Sequence, residues 1–230
     1  MSIAVVVFPG TNCEHDIVHA LDLLGVETEL VWHTETDLGG ASGVVLPGGF
    51  AHGDYLRTGA IARFSPVMAE VERLARAGTP TLGICNGFQI LCEAGLLPGA
   101  LVANRDLKFI CKFIHIRVES TDSILTNRAE VGQVIRIPLN SYEGNYVTDD
   151  INAVEEDGLV VARYCNPDGS LTDAGNPNGS TNGIASITND AGNVAAIMPH
   201  PERGSEAILG SADGMVMIES FAASVSAVTV

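Results

Sequence analysis

An α/β fold, with a mostly parallel open sheet flanked by helices on both faces and additional strands in the second half, is what this chain of 230 residues predicts. Three observations carry the prediction. In the first half, near-continuous apolar runs such as Ile3–Phe8 and Val44–Leu46 alternate with amphipathic stretches of helical period, the pattern of buried parallel strands covered by helices. Two apolar runs end in glycine-rich turns, Pro47-Gly48-Gly49 and Gly83-Ile84-Cys85-Asn86-Gly87, at the strand ends where open α/β sheets hold their ligands. The composition is 46% hydrophobic and 17% charged, enough apolar matter for one large core, so residues 1–230 read as a single domain.

Ile3–Phe8 predicts the first strand. Thr11 or Asn12 is placed to cap a helix over Cys13–Leu24, which carries Ile17, Ala20, Leu21 and Leu24 on one face and closes at Gly25. Val26–Trp32 and Val44–Leu46 follow as strands. Ser65-Pro66 opens a helix with Val67, Val71, Leu74 and Ala75 facing inward and Gly78 after its end. Pro80–Ile84 is the next strand, and Phe88, Ile90 and Leu91 begin a helix that ends at Gly95. Beyond it, strands are read at Phe109–Val118, Val134–Pro138, Leu159–Tyr164, Gly183–Thr188 and Val194–Met198, and a closing helix over Glu206–Ala222. Asn166–Asn182, rich in Gly, Asn, Pro, Ser and Thr, reads as a surface loop near the site or a partner face.

The strand–turn–helix at Gly83–Gln89 is the cysteine form of a nucleophile elbow. Its glycines allow close backbone approach, and the free N–H groups of the following helix favour a thiolate. A buried structural cysteine would read the same from this stretch alone. Near the other end, Pro199-His200-Pro201-Glu202 follows an apolar strand, and its prolines predict an extended backbone in which His200 and Glu202, two apart, project together. A carboxylate beside an imidazole fixes its tautomer and stabilises the imidazolium, as the third member of a triad does. The Gly49 and Asn86 amides are placed to stabilise an oxyanion. Cys13, His15 and His52, also near strand ends, read as turn and packing residues. These residues alone leave open another hydrolase with a cysteine elbow, or a binding module that kept the fold.

The elbow, Pro47–Phe50 and Pro199–Glu202 together resemble the class I (triad) glutamine amidotransferases, whose fold is flavodoxin-like. Further motifs resemble the glutaminase subunits of phosphoribosylformylglycinamidine synthase: Phe8-Pro9-Gly10-Thr11-Asn12-Cys13-Glu14, Gly53-Asp54-Tyr55-Leu56-Arg57, Asn176-Pro177-Asn178-Gly179-Ser180 and Met198–Arg203. The resemblance covers almost the whole chain. It implies Cys85 as nucleophile, His200 as general acid–base, Glu202 as its orienting carboxylate and Gln89 as a glutamine contact. It further implies ammonia transfer to a separate PurL-like synthetase subunit, where ATP and magnesium would bind, and a small PurS-like third subunit. One departure is visible: Asn140-Ser141-Tyr142-Glu143-Gly144 stands where family members often read Ala-His-Gly-Glu-Gly, so Ser141 replaces a histidine.

Composition narrows the setting. Lys and Arg total 12 against 28 Asp and Glu, a net charge of −16 that disfavours phosphate-backbone binding and hence nucleic acid. Charge of this size creates self-repulsion that salt screens, which predicts a salt-rich cytoplasm. The 5 cysteines, scattered without paired spacing, indicate neither a disulfide framework nor a zinc site. No Gly-x-x-x-x-Gly-Lys-Ser/Thr phosphate loop is present, so no cofactor is expected in this chain. The N-terminus passes directly into the first strand without the basic segment of a secretory signal, and no run reaches the length of a membrane span.

Overall fold

The computed structural model describes residues 2–228. Its strands are β1 (Ser2–Val7), β2 (Glu27–Trp32), β3 (Gly43–Leu46), β4 (Thr81–Ile84), β5 (Ala100–Val102), β6 (Ile110–Val118), β7 (Val134–Ser141), β8 (Asn145–Val147), β9 (Val160–Cys165), β10 (Ile184–Thr188) and β11 (Val194–Ile197). Its helices are α1 (Glu14–Asp22), α2 (Pro66–Arg76), α3 (Asn86–Glu93), α4 (Ile151–Glu156) and α5 (Met215–Val228).

One nine-stranded sheet runs in the order β2-β1-β3-β4-β11-β10-β9-β6-β7. From β2 to β11 all neighbours are parallel. From β11 to β7 all are antiparallel. Every residue of β3, β4 and β11 is buried, as the continuous apolar runs require of strands covered on both faces.

Two glycines show the covering helices. A Cβ on Gly83 would lie 2.6 Å from Leu91 of α3, and Gly83 pairs in register with Leu46. Gly43, three residues before Leu46, therefore points to the opposite face, where a Cβ would lie 2.5 Å from Val225 of α5. Helices thus cover both faces. At Gly87 a Cβ would lie 1.9 Å from the Leu46 carbonyl oxygen, so the start of α3 sits on β3 at a distance only glycine permits.

Several boundaries differ from the sequence reading, each for a local reason. Helix α1 starts at Glu14 with no side-chain cap, because the Thr11 hydroxyl accepts the Phe8 N–H at 2.9 Å instead. Strand β7 continues past Pro138 to Ser141; it is the sheet's edge strand, where a residue without N–H is tolerated. The closing helix begins at Met215 rather than Glu206, since a short 3-10 turn over Ala207–Leu209 and Gly210 interrupt the segment. The short β5–β8 pair and α4, whose first turn is capped by the Asp150 carboxylate accepting from Ala153 N–H at 3.0 Å, escape the sequence reading. The loop over 166–182 is exposed only in part. Asn178 is fully buried, and its amide donates to the Gly144 carbonyl at 2.6 Å and the Tyr164 hydroxyl at 3.1 Å.

Candidate active site

The chain turns from β4 into α3 at Cys85, which holds φ 52° and ψ −105°. That conformation is strained for a residue with a side chain and persists only where the surroundings enforce it. They do so here: the Cys85 N–H donates to the Ile197 carbonyl of β11 at 2.8 Å, and the Phe88 and Gln89 N–H groups return to the Cys85 carbonyl. The sulfur lies 3.6 Å from the Asn140 carbonyl. Asn86 is the first residue of α3, so its N–H has no intrahelical acceptor.

His200 follows the end of the neighbouring strand β11. Its N–H donates to the Pro138 carbonyl at 2.8 Å, and its Nδ1 meets Glu202 Oε1 at 2.6 Å. Both side chains are buried. The pairing arises differently from the extended backbone expected from the prolines: Pro201–Gly204 forms a 3-10 turn, and this curl brings the carboxylate to the ring's Nδ1 edge. Burial works against the imidazolium, but the Glu202 carboxylate, with the Cys85 and Cys13 sulfurs adding to it, outweighs burial and holds His200 well above the ordinary histidine range.

The turn after β3 completes the centre. A Cβ on Gly48 would lie 2.7 Å from His200 Cε1, 3.1 Å from Cys13 Sγ and 3.3 Å from Cys85 Cβ. Absence of a side chain there lets three side chains converge. Gly49 holds φ +153°, and a Cβ on it would strike the Gly10 carbonyl and Thr11 Cα, both at 2.7 Å. Cys13 packs as expected of a buried residue, but beside His200 and on the wall of the cavity, a place the sequence reading did not give it. Its place after the end of β1 is the available clue, because open parallel sheets gather functional groups at strand ends. His52 does pack as expected, against His33 and Phe8.

Cys13, Gly49, Cys85 and His200 line a cavity of about 300 Å³ that also takes in Gln89, Asp54, Ser141 and Glu143. A hydrogen-bond relay ties its walls. Ala51 N–H donates to Asn86 Oδ1 at 3.0 Å, Asn86 Nδ2 to Gln89 Oε1 at 2.8 Å, and Gln89 Nε2 to the Glu143 carbonyl at 2.6 Å. Asp54 is pushed up to about 6 by burial and by the charge of Glu143. The Ser141 hydroxyl is buried without a hydrogen-bond partner among the described residues.

A strained cysteine at a strand-to-helix turn, set against an imidazole that a carboxylate orients, equips a chain for thiol-dependent acyl transfer. The family model for the CobB/CobQ-like glutamine amidotransferase domain matches residues 1–214, and the chain belongs to that family. Within it, the chain belongs with the PurQ subunits of phosphoribosylformylglycinamidine synthase. It is 53% identical to that subunit from Gloeobacter violaceus, over 99% of this chain and 100% of the relative, and 51% identical to that from Salinibacter ruber, over 97% of each. Among solved structures, PurLQS from Thermotoga maritima contains a chain with 41% identity and a TM-score of 0.86, over 96% of this chain and 97% of that one. The glutaminase domain of Trypanosoma brucei CTPS, at 16% identity and a TM-score of 0.61 over 99% of this chain and 94% of that one, shares the fold.

Proposed function

We propose that Cys85, His200 and Glu202 carry out the glutaminase half-reaction of this PurQ chain. The ammonia they release is used by a PurL-like synthetase subunit to convert formylglycinamide ribonucleotide to formylglycinamidine ribonucleotide with ATP. The observation that carries the assignment is His200, buried and bonded to Glu202 at 2.6 Å on one nitrogen while its ring faces the elbow cysteine.

The Cys85 thiolate attacks the side-chain amide carbon of glutamine, forming a carbon–sulfur bond. Charge moves onto the amide oxygen, which the Gly49 and Asn86 N–H groups receive; one such donor contributes about 3–4 kcal/mol to the transition state. The carbon–nitrogen bond then breaks as imidazolium His200 gives its Nε2 proton to the departing ammonia. A glutamyl thioester remains on Cys85. His200, now neutral, takes a proton from water, whose oxygen displaces the sulfur and releases glutamate. Glu202 holds Nδ1–H throughout and stabilises the charged ring. Gln89, though tied to Asn86 and Glu143, retains one free Nε2 hydrogen and one Oε1 lone pair for the substrate.

The missing phosphate loop supports ATP and magnesium acting on the synthetase subunit rather than here. Phe50, Tyr55, Leu56 and Phe109, exposed at or beside the cavity mouth, give a docking subunit apolar surface to cover, and a small PurS-like subunit completes the proposed assembly. No helix among the described residues is long and apolar enough to cross a membrane, in keeping with work in the cytoplasm. Cys85→Ala in the assembled synthase should abolish turnover with glutamine and leave turnover with added ammonia intact. Persisting glutamine-dependent turnover would remove Cys85 from the mechanism.

A further inference from the structure

The triad acts on the amide end of its substrate and leaves part of the cavity without a task. Asp54 and Glu143 both line it, together with Gln89 and Ser141. Asp54 ends the turn over Ala51–Asp54, where His52, Gly53 and Asp54 hold φ 53°, 70° and 54° in succession, a left-handed run that strains the two residues with side chains. Its Oδ1 is buried with no hydrogen-bond partner among the described residues, and neither Asp54 nor Glu143 joins any ion pair there. Ser141, only 4% exposed, likewise keeps an unpartnered hydroxyl in the same cavity. Buried polar atoms in native proteins are rarely left so, and two of them lining one cavity call for a polar ligand.

The surroundings of Asp54 define the charge of that ligand. Burial and then the Glu143 carboxylate work against its ionised form and raise it to about 6, and no cation of the chain offsets them. The counter-charge therefore comes with the ligand. A metal ion fits poorly, since no third His, Cys, Asp or Glu stands near enough to complete a metal site with these two among the described residues. An ammonium group fits, because one nitrogen carries three N–H donors and each bond it makes to a carboxylate is charge-assisted.

We propose, resting on the glutaminase reading of this cavity, that Asp54 and Glu143 bind the α-ammonium of glutamine and so select the free amino acid among primary amides. Cys85 and His200 act on the side-chain amide, which any primary amide shares, whereas the two carboxylates read the amino-acid end. An ammonium in reach of both replaces their mutual repulsion with two attractions and holds both carboxyls in the charged form. Asp54, the more perturbed of the two and the one with a buried free oxygen, is the principal contact.

The test compares glutamine with glutaramate, which is glutamine with hydrogen in place of the α-amino group, as ammonia donors to the assembled synthase. The unaltered enzyme should prefer glutamine in kcat/KM by about 30-fold or more, the cost of leaving one partner of a desolvated charge pair alone. Asp54→Asn keeps the side chain's shape and tolerates a positive φ; it should remove most of that preference, through a fall with glutamine that glutaramate does not share. An equal fall with both donors, or a preference that survives the substitution, overturns the proposal. Should Asp54→Asn fail to assemble, Glu143→Gln decides the question: a preference lowered by about fivefold supports the site, and an unchanged one overturns it. Turnover of glutamine that persists in Cys85→Ala would sink the catalytic reading alone, and the ratio of the two donors in Asp54→Asn would still decide the ammonium site.

Discussion

The two halves of the sheet contribute to the same cavity by different means. In the parallel half, β1, β3, β4 and β11 end side by side, and the residues after them are Cys13, Gly48 with Gly49, Cys85 and His200. Adjacent parallel strands deliver their following residues to one place, so the groups proposed to carry the chemistry are side chains and glycines at strand ends. The antiparallel half works mainly through backbone. The Pro138 carbonyl fixes His200, the Asn140 carbonyl meets the Cys85 sulfur, and the Glu143 carbonyl receives Gln89. Backbone groups tolerate sequence change, so the contacts from this half to His200, Cys85 and Gln89 do not depend on which side chain Ser141 carries.

If the chemistry resides in the parallel half, crowding its centre should have the largest effect. Gly48→Ala would push a methyl group into the imidazole, 2.7 Å away. We expect kcat/KM for glutamine to fall about 100-fold, the penalty of misplacing a catalytic group by roughly an ångström. Ammonia-dependent turnover of the assembled synthase should stay level, and an equal fall in both would point to misfolding rather than misplacement.

The wall in the antiparallel half should matter less to chemistry and more to stability. Asn178→Ala removes both amide bonds that brace Gly144 and Tyr164. Urea unfolding is expected to show a loss of about 1–3 kcal/mol, with the buried Gly144 carbonyl deprived of its amide donor. The Ser180 hydroxyl also reaches that carbonyl, at 3.3 Å, and limits the loss. A larger fall in activity than that from Gly48→Ala would reverse the ranking of the halves.

Asp54 lies where the halves meet, and its effect is smaller. Its folded pKa of about 6 exceeds the ordinary 3.8, through burial and then Glu143. A carboxyl raised in this way favours the fold most below pH 3.8, and the contribution is lost as pH rises through 6. Solvent still reaches the group, so we expect only about 1 kcal/mol to disappear between pH 4 and 7. Asp54→Asn should flatten that part of the stability profile, and an unchanged profile would show that the carboxyl is not perturbed.

The smallest effect concerns the whole surface. With a net charge of −16, the melting temperature should rise by a few degrees on going from low to molar potassium chloride. An unchanged or lower value would set aside the salt-rich setting.

Much of this was legible before any coordinates. The apolar runs of Ile3–Phe8, Val44–Leu46 and Val194–Met198 report burial on both faces, and each overlaps an observed strand. The elbow glycines are demanded locally, since Gly83 and Gly87 must admit α3 against β4 and β3. The start of α5 was less legible, because Glu206–Ala212 contains enough apolar residues to imitate a helical face while turning at Gly210. The place of Cys13 beside His200 was not legible, because spacing along a chain says nothing about which strand ends become neighbours.

The sequence by itself determined the α/β class, the elbow at Cys85 and the pairing of His200 with Glu202, because periodicity, glycine placement and short separations are local properties. Tertiary structure alone decided that the ends of β1, β3, β4 and β11 meet, that Gly48 is the gap over which Cys13, Cys85 and His200 converge, and that a 3-10 turn makes the His–Glu contact. The order of strands in a sheet depends on packing the whole core at once, and no short window of residues contains that information.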